Sequence, residues 1–176
     1  MKINQAGAHL DQMIRQTRNH HVHLSTMADA KANMLLTTAT IVLTLSVSYI
    51  TDDELKWAAI ILICFSLLTI FLAIYAVMPK VPVHVKTQKF EDFEKTDMNL
   101  LFFGDFIHLD YKEFEIGMEE VLNDHNKLYQ AQVKEVYTLG KFLAAKKYRY
   151  LRLAYICFVT GLFTSVLFIL LHVILT

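Results

Sequence analysis

Three long apolar runs without a charged side chain limit what this chain can fold into. They cover residues 32–51, 57–79 and 153–176. A helix rises about 1.5 Å per residue, so each run reaches across a hydrocarbon core of roughly 30 Å. The expected fold is an all-α integral membrane protein with three transmembrane helices. Long N-terminal and juxtamembrane cytosolic helices and a small helical cytosolic segment complete it. The expected divisions are a cytosolic N-terminal helix over 1–31, spans over 32–51, 57–79 and 153–176, and a cytosolic segment over 80–152.

Charge distribution narrows the possible functions. Lys and Arg together number 17, as do Asp and Glu. Capture of nucleic acid needs a basic surplus, so a nucleic-acid partner is not expected. Cys64 and Cys157 both fall inside predicted spans, which points to small packing groups rather than a disulfide framework. Lys2, Asp11, Arg15, Arg18, Asp29 and Lys31 precede the first apolar run. A cleaved signal peptide places its apolar region much earlier, so the first span is expected to stay as an anchor.

Loop charges set the expected orientation. Four Lys and Arg lie in Met1–Lys31 and twelve in Lys80–Arg152. The short Asp52–Lys56 loop holds only Lys56, beside Asp52, Asp53 and Glu54. The positive-inside rule places the N-terminus and the long middle segment in the cytoplasm. The acidic loop and the C-terminus then lie outside.

Leu10, Met13, Ile14, Leu24, Met27 and Ala28 recur at helical spacing. One helix is expected from about Leu10 into Ile50, with a hinge near Asn19–His23 as the alternative. Pro79 and Pro82 end the second span. Val81, Val83 and Val85 alternate with Pro82, His84 and Lys86, a pattern for a short extended segment. Phe90, Phe93, Leu100, Leu101, Phe102, Phe103, Phe106, Ile107 and Leu109 then form either a compact core or a face on the inner membrane interface. Asp110 and Glu113 have capping-box spacing and open a helix through Leu122. A last helix is expected to start near Asn126 and to continue through Arg152 into the third span.

The first span carries an unusual face. Asp29, Asn33, Thr37, Thr40, Thr44, Ser48 and Thr51 recur at three and four, which places them on one stripe. Hydroxyls gain nothing from lipid, so the stripe should meet other helices or water. Two readings remain: interhelical packing with each hydroxyl bonded to its own backbone, or copies of the helix surrounding a polar path in a homo-oligomer. On the third span, Cys157, Gly161, Ser165 and His172 share a face, with small residues spaced for close helix approach. The second span is nearly all apolar, with Ser66 and Thr69 as its few polar groups, and reads as lipid-facing.

Other chemistry has little support. His20 and His23 have helical ligand spacing, but no further ligand completes a metal site. No phosphate loop, nucleophile elbow or paired-carboxylate motif is present, so neither enzyme activity nor a cofactor is expected. Glu113, Glu115, Glu119, Glu120 and Asp124 read as a solvated face.

Three segments carry a resemblance. MADAKANMLL (Met27–Leu36) resembles the signature that enters the first span of the Pycsar-effector transmembrane family. NLLFFGDF (Asn99–Phe106) resembles that family's Asn-Pro-Leu-Phe-Phe-Gly stretch, with Leu100 in place of the proline. YTLGKFLAAKKYRYLRLAY (Tyr137–Tyr155) is similar to its juxtamembrane helix. The resemblance implies an antiphage-defence effector. A partner cyclase would make a cyclic pyrimidine mononucleotide, such as cyclic UMP or cyclic CMP. The effector would then impair the inner membrane in abortive infection, with the lipid bilayer and other copies of the chain as its partners. Asp29, Lys31, Asn99, Phe103, Gly104, Arg149 and Arg152 are the motif and sensing candidates. Asn33, Thr37, Thr40, Thr44 and Ser48 are the candidate pore or interface stripe. Lys146, Lys147, Arg149 and Arg152 fit either a phosphate or the inner leaflet, and Asp29 and Lys31 could pair with them or order a pore mouth. The alternatives are a structural membrane adaptor, a transporter subunit or a membrane-anchored metal protein.

Overall fold

The computed structural model describes residue 3, residues 7–79 and residues 98–175. The extended segment expected over residues 81–86, with Phe90 and Phe93, lies outside the described residues. Every regular element among the described residues is helical.

Helix α1 runs unbroken from Ala8 to Val47. Gly7 opens it, its carbonyl accepting from the amides of Leu10 and Asp11 at 2.9 and 3.3 Å. The helix passes through Asn19–His23, where no Gly or Pro interrupts it, and the hinge does not form. It ends before the expected limit of the first span. Ser48 and Tyr49 amides bond three residues back, to Leu45 and Ser46, and this tightened turn stops the α ladder. Ser48 and Thr51 therefore lie past the helix end.

The Asp52 side chain then accepts from the amides of Glu54 and Leu55, both at 3.0 Å, and α2 follows over Lys56–Val77. Beyond the undescribed stretch come a single turn, α3 (Phe103–Phe106), and α4 (Tyr111–Leu122). The last helical run comprises α5 (His125–Phe142), a π-helical turn over Leu143–Tyr148 and α6 (Arg149–Leu175). Asp124 caps α5, its side chain accepting from the amides of Asn126 and Lys127. Asp110 starts α4 without a side-chain cap. The expected capping box is not formed there, and the helix begins on the Asp110 carbonyl, which accepts from Phe114 at 2.9 Å.

The chain divides into two compact units: Ser25–Met78 with Ala144–Thr176, and Met1–Leu24 with Pro79–Leu143. The first contains the three apolar spans. Its seams are lined by small residues. Ala28 and Ala32 of α1 pack with Ala76 and Leu151, and Leu35 packs with Ala73 and Ala154. Every buried residue of α2 is Ala, Ser or Thr. Between lipid-bathed helices there is no hydrophobic driving force, so close backbone approach carries the packing. Gly161 on α6 shows how close: a Cβ there would fall 2.8 Å from Phe65 Cγ and nearer still to its Cβ. Ser165 Oγ donates to the Ala58 carbonyl at 3.2 Å. Thus α2 is lipid-facing on one side only. Its few polar groups, Ser66 and Thr69, are turned inward.

The other unit closes around Leu100, Val121 and Ala131, with Leu101, Leu109, Phe114, Met118 and Leu128 packed against them. Phe102 meets Phe142 with ring centroids 6.1 Å apart, and Phe106 meets Phe114 at 5.3 Å. Of the two readings of the Phe-rich stretch, these residues follow the compact core. Phe103 remains exposed.

Candidate functional site

Asp11, Ile14, Arg15, Arg18, Asn19 and Val22 recur at three and four along α1, so one helix face carries them all. In the second-described unit this face forms one wall of a cleft of about 780 Å³. Met118 and Leu122 of α4 and Gln132 and Glu135 of α5 line the rest, over a floor that includes Val121, Leu128 and Leu101. Pockets of roughly 300–1,000 Å³ are the usual size for small-molecule sites, and they combine apolar walls with a few placed polar groups.

The charges of the cleft are mostly spoken for. Arg18 Nε lies 3.0 Å from Glu135 Oε1, and the Glu135 side chain is only 10% exposed against 57% for Arg18. Burial pushes the Glu135 carboxyl above its ordinary pKa, and the Arg18 charge pulls it part of the way back. The Tyr129 hydroxyl donates to Asp11 Oδ1 at 2.7 Å. That bond, with burial, holds the phenol above its ordinary pKa. Arg15 has no ion-pair partner among the described residues.

The Asn99–Phe106 motif is a structural corner of the same unit. Asn99 is buried; its amide donates to Asp105 Oδ2 at 2.9 Å and its Oδ1 accepts from the Leu101 amide at 3.1 Å. Lys134 Nζ reaches the Met98 carbonyl at 3.0 Å. Gly104 sits under the Phe102 ring, where a Cβ would come within 2.7 Å of Cε1. Of this motif Leu101 lines the cleft, whereas Asn99, Phe103 and Gly104 do not.

In the membrane-spanning unit Asp29 has found one of its expected cations. Lys147 Nζ donates to both carboxylate oxygens, at 2.7 and 2.8 Å, and to Ser25 Oγ at 2.8 Å. Lys147 sits in the π-helical turn, whose i to i+5 ladder changes the phase of the side chains that follow. Lys31, Arg149 and Arg152 are exposed. Lys31 and Arg152 border a small groove with Tyr148 and Tyr155, and the Tyr155 hydroxyl donates to the Lys31 carbonyl at 3.3 Å.

The stripe occupies the side of α1 that the other described helices leave uncovered. Ala28, Ala32, Leu35 and Ala39 are buried, and Asn33, Thr37, Thr40, Thr44 and Ser48 are all exposed. At about 100° per residue the two sets lie on nearly opposite faces. Thr37, Thr40 and Thr44 each donate to the carbonyl four residues back, at 3.0, 2.8 and 2.9 Å. Self-bonding of this kind makes a hydroxyl tolerable in lipid. It leaves the oxygen lone pairs open to a second partner.

Residues 12–175 match the family profile described as the Pycsar effector protein domain. The chain belongs to the Pycsar effector family. It is an antiphage-defence effector, and its three helices long and apolar enough to cross a bilayer make it a membrane protein. No curated protein matches the chain, and no solved structure does.

In this Pycsar effector the family motifs share one described residue, Leu101, with the cleft. Asn99, Gly104, Arg149 and Arg152 stand out as candidates in the sequence, whereas Arg15, Arg18, Asn19, Gln132 and Glu135 do not. One signal for the missed set was present: Asp11, Arg15 and Arg18 share a helix face with Ile14 and Val22. The partners across the cleft lie on α4 and α5, and their approach comes from tertiary packing alone.

Proposed function

We propose that this Pycsar effector is a non-enzymatic membrane effector switched on by a cyclic pyrimidine mononucleotide, such as cyclic UMP or cyclic CMP. A partner nucleotide cyclase supplies the messenger, and activation impairs the inner membrane. The N-terminus and the cleft-bearing unit face the cytoplasm, and the C-terminus lies outside, as the excess of Lys and Arg in those segments favours.

The observation that carries this reading is the stripe of Asn33, Thr37, Thr40, Thr44 and Ser48, which no helix among the described residues covers. Three spans enclose little, so a polar path needs several copies of α1. Homo-oligomers that bring these faces together admit water and ions past the second lone pairs of the hydroxyls. A messenger drives this change only by binding the open state better than the closed one.

The test is leakage of ions or dye from liposomes holding the full chain. Leakage that depends on cyclic UMP or cyclic CMP supports the reading and names the messenger. No leakage with either, in protein shown to be inserted, overturns it in favour of a structural membrane adaptor.

A further inference from the structure

We propose that the cleft between α1, α4 and α5 is the messenger's binding site. The Arg15 guanidinium takes the cyclic phosphate there, and the wall of Met118 and Leu122 takes the flat base. This assignment rests on the nucleotide-gated reading above.

The charge arrangement selects the ligand class. Four charged groups line the cleft: Asp11, Arg15, Arg18 and Glu135. Either carboxylate alone would repel an anion. Glu135 is paired with Arg18 at 3.0 Å, and Asp11 accepts a hydrogen bond from the neutral Tyr129 hydroxyl at 2.7 Å. The cation left over is Arg15, which has no ion-pair partner among the described residues. A guanidinium presents a planar fork of donors suited to phosphate oxygens. A cyclic phosphate diester carries a single negative charge and so matches one open guanidinium. A linear mononucleotide carries a second charge, for which the cleft holds no second open cation among the described residues.

The remaining wall suits a heterocycle. Met118 gives a polarisable side chain that adapts to a ring face, and Leu122 extends the same apolar surface. Asn19 and Gln132 also line the cleft. Each side-chain amide holds both a donor and an acceptor, so the pair fits the edge of uracil or of cytosine. The cations first suggested by sequence fit less well: Lys147 is already engaged by Asp29 and Ser25, and the groove at Lys31 and Arg152 measures only about 180 Å³.

Binding is measured on the full-length protein in nanodiscs, titrated with cyclic UMP, cyclic CMP, linear UMP and inorganic phosphate, beside liposome leakage. Arg15→Gln should weaken binding of the active cyclic nucleotide by about tenfold or more, as loss of a charge-assisted bond does. Leu122→Trp, at an exposed cleft position, should block it by filling the space. Both variants should melt like the wild type. Wild-type protein that binds and leaks with a cyclic nucleotide while both variants match it would place the site elsewhere and leave the gating intact. Wild-type protein that neither binds nor leaks with either cyclic nucleotide would overturn the gating itself and take the site with it.

Discussion

Every buried residue of α2 is alanine, serine or threonine, whereas the cleft-bearing unit closes around Leu100, Val121 and Ala131, with Leu109, Phe114 and Met118 packed against them. The difference follows from solvent. Hydrocarbon offers no reward for hiding a leucine, so spans gain from close backbone contact and from hydroxyls bonded across or within helices. A unit bathed in water gains from the apolar area it removes from solvent. The same substitution should therefore have different consequences in the two regions.

Gly161→Ala should give the largest loss of stability. Its new Cβ meets the root of the Phe65 side chain, which moves only if α2 and α6 separate. Overpacking of this kind costs about 3 kcal/mol, read as a lower melting temperature in detergent. Gly140→Ala is the matched control in the other unit. Its Cβ meets the His21 ring edge at 3.2 Å, and a gain in helix propensity of about 1 kcal/mol offsets that adjustment. Its melting temperature should stay close to wild type. Equal losses in both variants would break the comparison.

Glu135→Gln should have a smaller, pH-dependent effect. Burial holds the Glu135 pKa above its ordinary value, so the folded state binds the proton more tightly than the unfolded state. Stability from this group is present at low pH and falls as pH rises from the ordinary carboxylate range through the raised folded value. The variant should thus gain on wild type by roughly a few degrees near pH 8. The gain should shrink as pH falls through the ordinary carboxylate range and vanish below it, where the carboxyl is protonated in both folded and unfolded states. A difference that does not change with pH would show that burial of the carboxylate is not costly there.

Much of the fold was legible because hydropathy is local. The runs without charge gave all three spans, and the absence of Gly and Pro between Leu10 and the first span gave the single long α1. The stripe was legible as a period, but its direction was not. Only the packed seam of Ala28, Ala32, Leu35 and Ala39 shows that the stripe turns away from the protomer. The pairing of Asp29 with a juxtamembrane cation followed from charge and position, whereas the choice of Lys147 reflects the phase of the π-helical turn. The cleft was least legible. Arg18 with Glu135 and Asp11 with Tyr129 are long-range pairs, and a single sequence carries no mark of which distant residues meet.

The stripe also predicts the smallest stability change and the largest functional one. Thr40 and Thr44 are exposed and bonded to their own helix, so Thr40→Leu with Thr44→Leu should alter stability by no more than about 0.5 kcal/mol. The most direct measurement is messenger-dependent leakage from liposomes carrying this double variant, with insertion and melting checked in the same preparation. Normal insertion, unchanged melting and no leakage are expected. Leakage equal to wild type would contradict this expectation and remove the stripe from the mechanism.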